Sequence, residues 1–175
     1  MSQVGMEHGE ISALLVTKLA NAVLERKLGR VYTACACFRV NAGLSFSPVA
    51  AFLTRERLRG TRPSRKPFQG APDLAVEILT PTDTVGKISR RLVDYFGNGA
   101  RLVWVINPAD HTVLVYHSPQ PDRILKAGDV LDGEQVISGF SLPVVDLFAE
   151  YDFETAPLEE AESFDADETD DDEQD

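Results

Sequence analysis

Two rhythms of apolar residues alternate along the chain, and the change from one to the other marks its elements. Ile11, Leu14, Leu15, Leu19, Ala22 and Val23 fall at helical spacing, with Lys18, Asn21, Glu25 and Arg26 on the remaining positions. This predicts an amphipathic helix ended by Gly29. From Arg30 to Val40 the pattern turns to β-formers, a turn follows at Asn41 and Gly43, and Leu44 to Leu53 reads as a second strand, so a hairpin is expected, with Pro48 forcing an edge, a bulge or a break. Cys35 and Cys37 fall inside the first of these strands and would share one face. Leu74 to Leu79 is an apolar run of strand length, broken only by Glu77. Turn and capping residues Thr80 to Thr84 come next, and Val85, Ile88, Leu92, Tyr95 and Phe96 then restore helical spacing up to Gly97-Asn98-Gly99. Arg101 to Ile106 and Thr112 to Tyr116 are further strands joined through Asn107 to His111, and short strands and turns fill Arg123 to Leu147. Strand, helix, strand and hairpin in succession predict an α/β (α+β) domain with a mixed sheet flanked by helices.

Composition narrows the class. The 175 residues are 43% hydrophobic, enough for the core of one domain, and no apolar run is long enough to cross a membrane. The start, MSQVGMEHGE, lacks the basic and apolar segments of a signal peptide, so a cytoplasmic protein is expected. Net charge is −11, but eleven acids lie between Glu159 and Asp175, where there is no Lys or Arg. The rest of the chain carries 17 acids against 17 Lys and Arg. We therefore divide it into a folded domain, 1–151, and an acidic tail, 152–175, expected to be disordered because its charges repel and it has little to bury. The tail reads either as a solubilising end or as a polyanion that mimics nucleic acid or meets a protein partner. Two cysteines alone make an incomplete zinc site, so Cys35 and Cys37 read as small hydrophobes in a reducing compartment.

The candidate chemistry centres on Glu77. A carboxylate in a buried strand costs several kcal/mol or more unless it is paired, hydrogen-bonded or metal-bound. Lys87, Arg90 and Arg91 follow on the next helix, on the face away from Val85 and Ile88; they are either a solvated face or a group that meets a phosphate near that carboxylate. The densest positive charge is the stretch RERLRGTRPSRKPFQG, with Arg55, Arg57, Arg62, Arg65 and Lys66, which reads either as a mobile connection or as a loop along a phosphate backbone. Glu7, His8 and Glu10 suit the start of the first helix, and His111 and His117 read as surface residues.

Glu7-His8-Gly9, Thr54 to Leu58, Pro72 to Pro81, Tyr95, Val103 to Pro108, Val130 to Gly133 and Gly139-Phe140, in that order, resemble the Uma family of bacterial putative restriction endonucleases, within the PD-(D/E)xK nuclease superfamily. The resemblance spans about residues 6–150. It implies a restriction-endonuclease-like core and Mg²⁺-dependent hydrolysis of DNA phosphodiester bonds. Glu77 matches the family's glutamate and Asp73 its aspartate before the strand, so Glu77 would serve the metal and the catalysis, and Asp73 reads either as a second ligand acting through water or as a turn or strand-start residue. Arg91, Lys87 and Arg90 would stabilise charge on the phosphate.

Two positions depart from the family. Its metal-binding Asp is Val49 here, and its helical Lys is Arg91, a poor general base because guanidinium does not deprotonate. Asp73 and Glu77 are also roughly 13 Å apart at about 3.3 Å per residue of strand, too far to share an ion without a bend. The expectation is an endonuclease with a degenerate site; its alternative is an inactive nuclease-fold protein that binds nucleic acid or a protein partner. DNA is the expected ligand, and a homodimer and a protein contact of the tail are further expectations.

Overall fold

The computed structural model describes residues 5–41, 43–61 and 65–149. The chain runs through α1 (Met6–Glu25), β1 (Gly29–Thr33), β2 (Phe38–Asn41), β3 (Leu44–Phe46), β4 (Ala50–Thr54), α2 (Arg55–Leu58), β5 (Phe68–Gln69), β6 (Leu74–Ile78), α3 (Val85–Gly97), β7 (Leu102–Asn107), β8 (Thr112–Tyr116), β9 (Pro121–Leu125), β10 (Val130–Asp132), β11 (Ser141–Pro143) and α4 (Val144–Leu147).

Six strands form the main sheet in the order β1-β4-β6-β7-β8-β9. Only β6 and β7 are parallel, and α3 makes the crossover between them. Every other pairing is antiparallel, so the expected mixed sheet is present. Side chains alternate across it, as strand geometry requires. Leu74, Val76 and Ile78 of β6 and Leu102, Trp104 and Ile106 of β7 pack with Ile11, Leu15, Leu19 and Val23 of α1. Ala75, Val103 and Val105 point to the other face, against Leu92 and Tyr95 of α3. Glu77 lies on that second face, between Val76 and Ile78 of the first.

A small sheet, β3-β2-β5, stands apart from the main one. The expected hairpin over Arg30 to Leu53 is realised only in β2 and β3; β1 and β4 instead pair with each other in the main sheet. Cys35 and Cys37 are not in a strand. They occupy the turn that carries the chain between the sheets, where the Ala36 amide bonds the Thr33 carbonyl at 2.9 Å. Pro48 stands in the break before β4. The Val49 amide donates to the Val76 carbonyl at 2.9 Å although Ala50 is the ladder partner of Val76, and this irregularity lets Val49 pack with the α1-side core. The basic stretch folds into α2 and β5, with Arg62 outside the described residues, as is the acidic tail.

Helix α1 ends before Gly29. Arg26 caps it, and Lys27, not a glycine, takes the left-handed conformation at φ 55°. Gly29 is required for another reason. A Cβ there would lie 2.0 Å from the Leu53 carbonyl oxygen, so only glycine lets β1 start beside β4.

Candidate functional site

The register places two buried carboxylates at opposite ends of β6. Asp73 precedes the strand, beside Phe52 and Leu102, and Glu77 lies near its end, beside Val105. Asp73 is 2% exposed and Glu77 8%.

At the Glu77 end, Thr84 caps α3 by accepting a hydrogen bond from the Lys87 amide, and the helix then runs back across the sheet. Its inward face carries Ile88, Leu92, Tyr95 and Phe96 as the spacing predicts, with two departures. Val85 is 85% exposed, while Arg91, expected on the outer face, is turned inward. Arg91 donates from Nη1 to Glu77 Oε2 at 2.7 Å, and the Tyr95 hydroxyl donates to Oε1 at 2.5 Å. Arg91 and Tyr95 are four residues apart and so share a helix face. Phe46 of β3 closes the group from outside, with its ring centroid 5.5 Å from the Arg91 guanidinium carbon and 5.1 Å from that of Tyr95. The recess lined by Glu77, Ile88, Arg91, Leu92, Tyr95 and Val105 leaves no room for a water-sized sphere.

Electrostatics follow from this enclosure. Burial pushes Glu77 above the usual carboxylate range, against the pull of Arg91 and the Tyr95 hydrogen bond. Tyr95 is driven far up by burial and by the adjacent Glu77 charge, so its hydroxyl stays protonated and donates. Asp83, at the turn before α3, is raised by its own desolvation but lowered further by hydrogen bonds from the Thr80 hydroxyl and amide and by the Arg91 and Lys87 charges, and its net shift is downward.

At the other end, Asp73 Oδ2 accepts from the Thr54 amide at 2.8 Å, at the point where β4 becomes α2. Arg57 Nη1 lies 3.6 Å from Oδ1, an ion pair too long for a hydrogen bond, and that nitrogen is buried with no hydrogen-bond partner. The Phe68 ring of β5 covers the guanidinium at 5.1 Å.

The structure therefore brings Glu77 and Arg91 together and leaves Asp73 elsewhere, joined to Thr54 and Arg57. Lys87 and Arg90 are exposed on α3, with the Lys87 amine bonded to the Thr82 carbonyl at 3.2 Å. Arg55, Arg65 and Lys66 are exposed, and Arg57 is turned inward. Sequence reasoning missed the Tyr95 hydroxyl as a partner of Glu77; its place one turn after Arg91 was the available signal.

The donor set does not fit a divalent ion as arranged. Both Glu77 oxygens are held by protein donors, Val49 turns to the α1 side, and no cluster of three His, Cys, Asp or Glu exists among the described residues. Mg²⁺ asks for oxygen ligands in near-octahedral order, and a single engaged carboxylate does not supply them.

Comparison with known proteins places these features. Residues 1–145 match the model of the Uma2 family, described as "Putative restriction endonuclease". Among solved structures, the chain is similar to a protein from Anabaena variabilis described as "a putative nuclease belonging to DUF820", with a TM-score of 0.70 and 23% identity over 85% of this chain and 82% of that one. At that identity the likeness shows the fold. No curated protein matches.

Proposed function

Because the chain belongs to the Uma2 family of restriction-endonuclease-like proteins, we propose that it is a nuclease-fold protein that holds nucleic acid without cutting it through a metal centre at Glu77. One observation carries this reading: both oxygens of the Glu77 carboxylate are engaged, by Arg91 at 2.7 Å and by Tyr95 at 2.5 Å. A carboxylate committed in this way links α3 to the sheet. To become a ligand it would have to leave a guanidinium and a hydroxyl unpaired in a closed recess, which costs a few kcal/mol. Val49 adds a second obstacle, since the position that the family resemblance gives to a metal-binding Asp carries no donor.

The competing reading is an active Mg²⁺-dependent endonuclease, favoured by the family match. In that case Glu77 would exchange its partners for the ion when substrate arrives, and Arg91 would turn to the phosphate.

Plasmid cleavage with Mg²⁺ and with Mn²⁺ separates the two. The parent and Glu77→Ala are expected to give the same background. Metal-dependent cleavage by the parent that Glu77→Ala removes would establish the endonuclease instead. Val49→Asp alone is expected to stay inactive, because the side chain at 49 faces the α1-side core rather than Glu77.

A further inference from the structure

The end of the sheet away from Glu77 carries a groove that the catalytic resemblance does not use. The antiparallel pairing of Gly29 with Thr54 sets the last residues of the α1 turn beside the first turn of α2. Lys27, Arg30, Arg55 and Arg59 thereby line one open groove of about 650 Å³, with Leu24, Gly29 and Leu58 completing it. No acid lines it. Among the described residues the only ion pair of these four cations is that of Arg55 with its neighbour Glu56 at 3.6 Å, and both side chains are about two-thirds exposed or more. Lys27, Arg30 and Arg59 have no ion pair among the described residues. Like charges gathered round one concavity repel each other and raise the local concentration of anions.

The backbone adds an independent mark. Lys27 holds φ 55° after α1, the position that glycine fills most readily because a side chain is strained there. Strain retained at a residue whose side chain lines a groove points to a use for that side chain. Leu24, 55% exposed, and Leu58 give the groove an apolar wall beside its cations. Phosphates flanked by sugar edges offer the matching pattern of charge and apolar surface.

We infer that this groove, on the opposite end of the sheet from Glu77, seats a phosphodiester backbone through Lys27, Arg30, Arg55 and Arg59. The inference rests on the nucleic-acid-binding reading above and assigns it a surface. It also separates the binding surface from the closed recess at Glu77, so that binding does not require the Glu77 group to open.

The test is fluorescence anisotropy of a labelled 20-bp duplex with the full chain, titrated between 50 and 200 mM salt. Three proteins are compared: the parent, Arg30→Gln/Arg59→Gln, and Lys87→Gln/Arg90→Gln. If each of four cations neutralises one phosphate, parent affinity falls about a hundredfold over that range. The groove variant should lose only about tenfold across it and bind more weakly throughout, while the α3 variant behaves like the parent. All substituted side chains are exposed, and matching urea midpoints would verify the fold. A groove variant that binds like the parent, with the α3 variant losing the salt dependence, would put DNA at the Glu77 end; the inference then falls and the nucleic-acid reading survives. A parent that binds no duplex at 50 mM salt refutes both. A poly-glutamate peptide that binds the groove more tightly than the duplex, and loses that binding in the groove variant, would identify an acidic protein segment as the occupant and overturn the inference.

Discussion

The two ends of β6 are built from the same parts to different effect. Each buries a carboxylate, sets an arginine beside it and covers that arginine with a phenylalanine: Asp73 with Arg57 under Phe68, and Glu77 with Arg91 under Phe46. At Asp73 the close partner is a backbone amide, Thr54 N at 2.8 Å, and the arginine stands off at 3.6 Å. At Glu77 both close partners are side chains of one helix. Asp73 is therefore a joint between the β4–α2 corner and the start of β6, fixed by chain geometry. Glu77 is held by groups that side-chain rotation can withdraw. Burial of an acid does not by itself tell how it is held; the kind of partner does.

Breaking the Asp73 joint should have the largest effect. Asp73→Ala leaves the Thr54 amide and the already under-satisfied Arg57 guanidinium without their acceptor, which predicts a loss of about 3–5 kcal/mol in urea unfolding. The corresponding change at the other end should be far milder. Glu77→Gln keeps an amide oxygen for Arg91 or Tyr95 and removes a charge that burial already disfavours, so the expected change is within about 1 kcal/mol. Its pH dependence has a definite sign. A carboxyl whose folded pKa lies above its unfolded value favours the folded state while protonated, so the parent should lose stability relative to Glu77→Gln as pH rises from near the ordinary Glu value through the folded one. Equal losses from the matched substitutions Asp73→Asn and Glu77→Gln would show that the two ends are equivalent.

A third carboxylate group refines the comparison, because it is exposed. His117 bonds Asp122 through Nδ1 and Glu134 through Nε2, and Glu134 also pairs with Arg123. The Glu134 hydrogen bond, ahead of the opposing desolvation, raises the His117 pKa. Stability from this group is fully present below the unfolded value of about 6.5 and is lost as pH rises through the folded value. At 42% side-chain exposure the contribution is discounted for solvent to under about 1 kcal/mol. The stability gap between the parent and His117→Asn should shrink between about pH 6 and pH 8 in thermal unfolding.

Much of the frame was legible in the chain. The strand holding Glu77, the Thr84 cap and the helix after it follow from local pattern and capping chemistry, as does the break at Pro48. So does the inward face of α3 through Ile88, Leu92, Tyr95 and Phe96, except that Val85 looks like the first apolar position of the stripe but sits exposed in the opening turn, and Arg91 joins the inward side because Glu77 gives it a partner. Cys35 and Cys37 continue a two-residue rhythm, yet the chain has to leave the main sheet there for the small one. The basic stretch with Arg55 and Arg59 was visible, but the groove it joins was not. Lys27 and Arg30 meet Arg55 and Arg59 only through the pairing of Gly29 with Thr54, which no local window contains.

The small sheet has a consequence for the motions of the whole domain. Phe38 of β2 is the register partner of both Phe46 and Phe68, so one row across β3-β2-β5 presents the covers of both arginines. The outer strands β3 and β5 bury no residue fully, and segments with few buried apolar contacts open at lower cost than the core. A single opening of this flap would lift both rings together. Amide exchange at Phe68 and Gly70, which bond Cys37 and Arg39 across it, would then report on the exposure of Glu77 and Asp73 in one step, as two latches worked by one hinge.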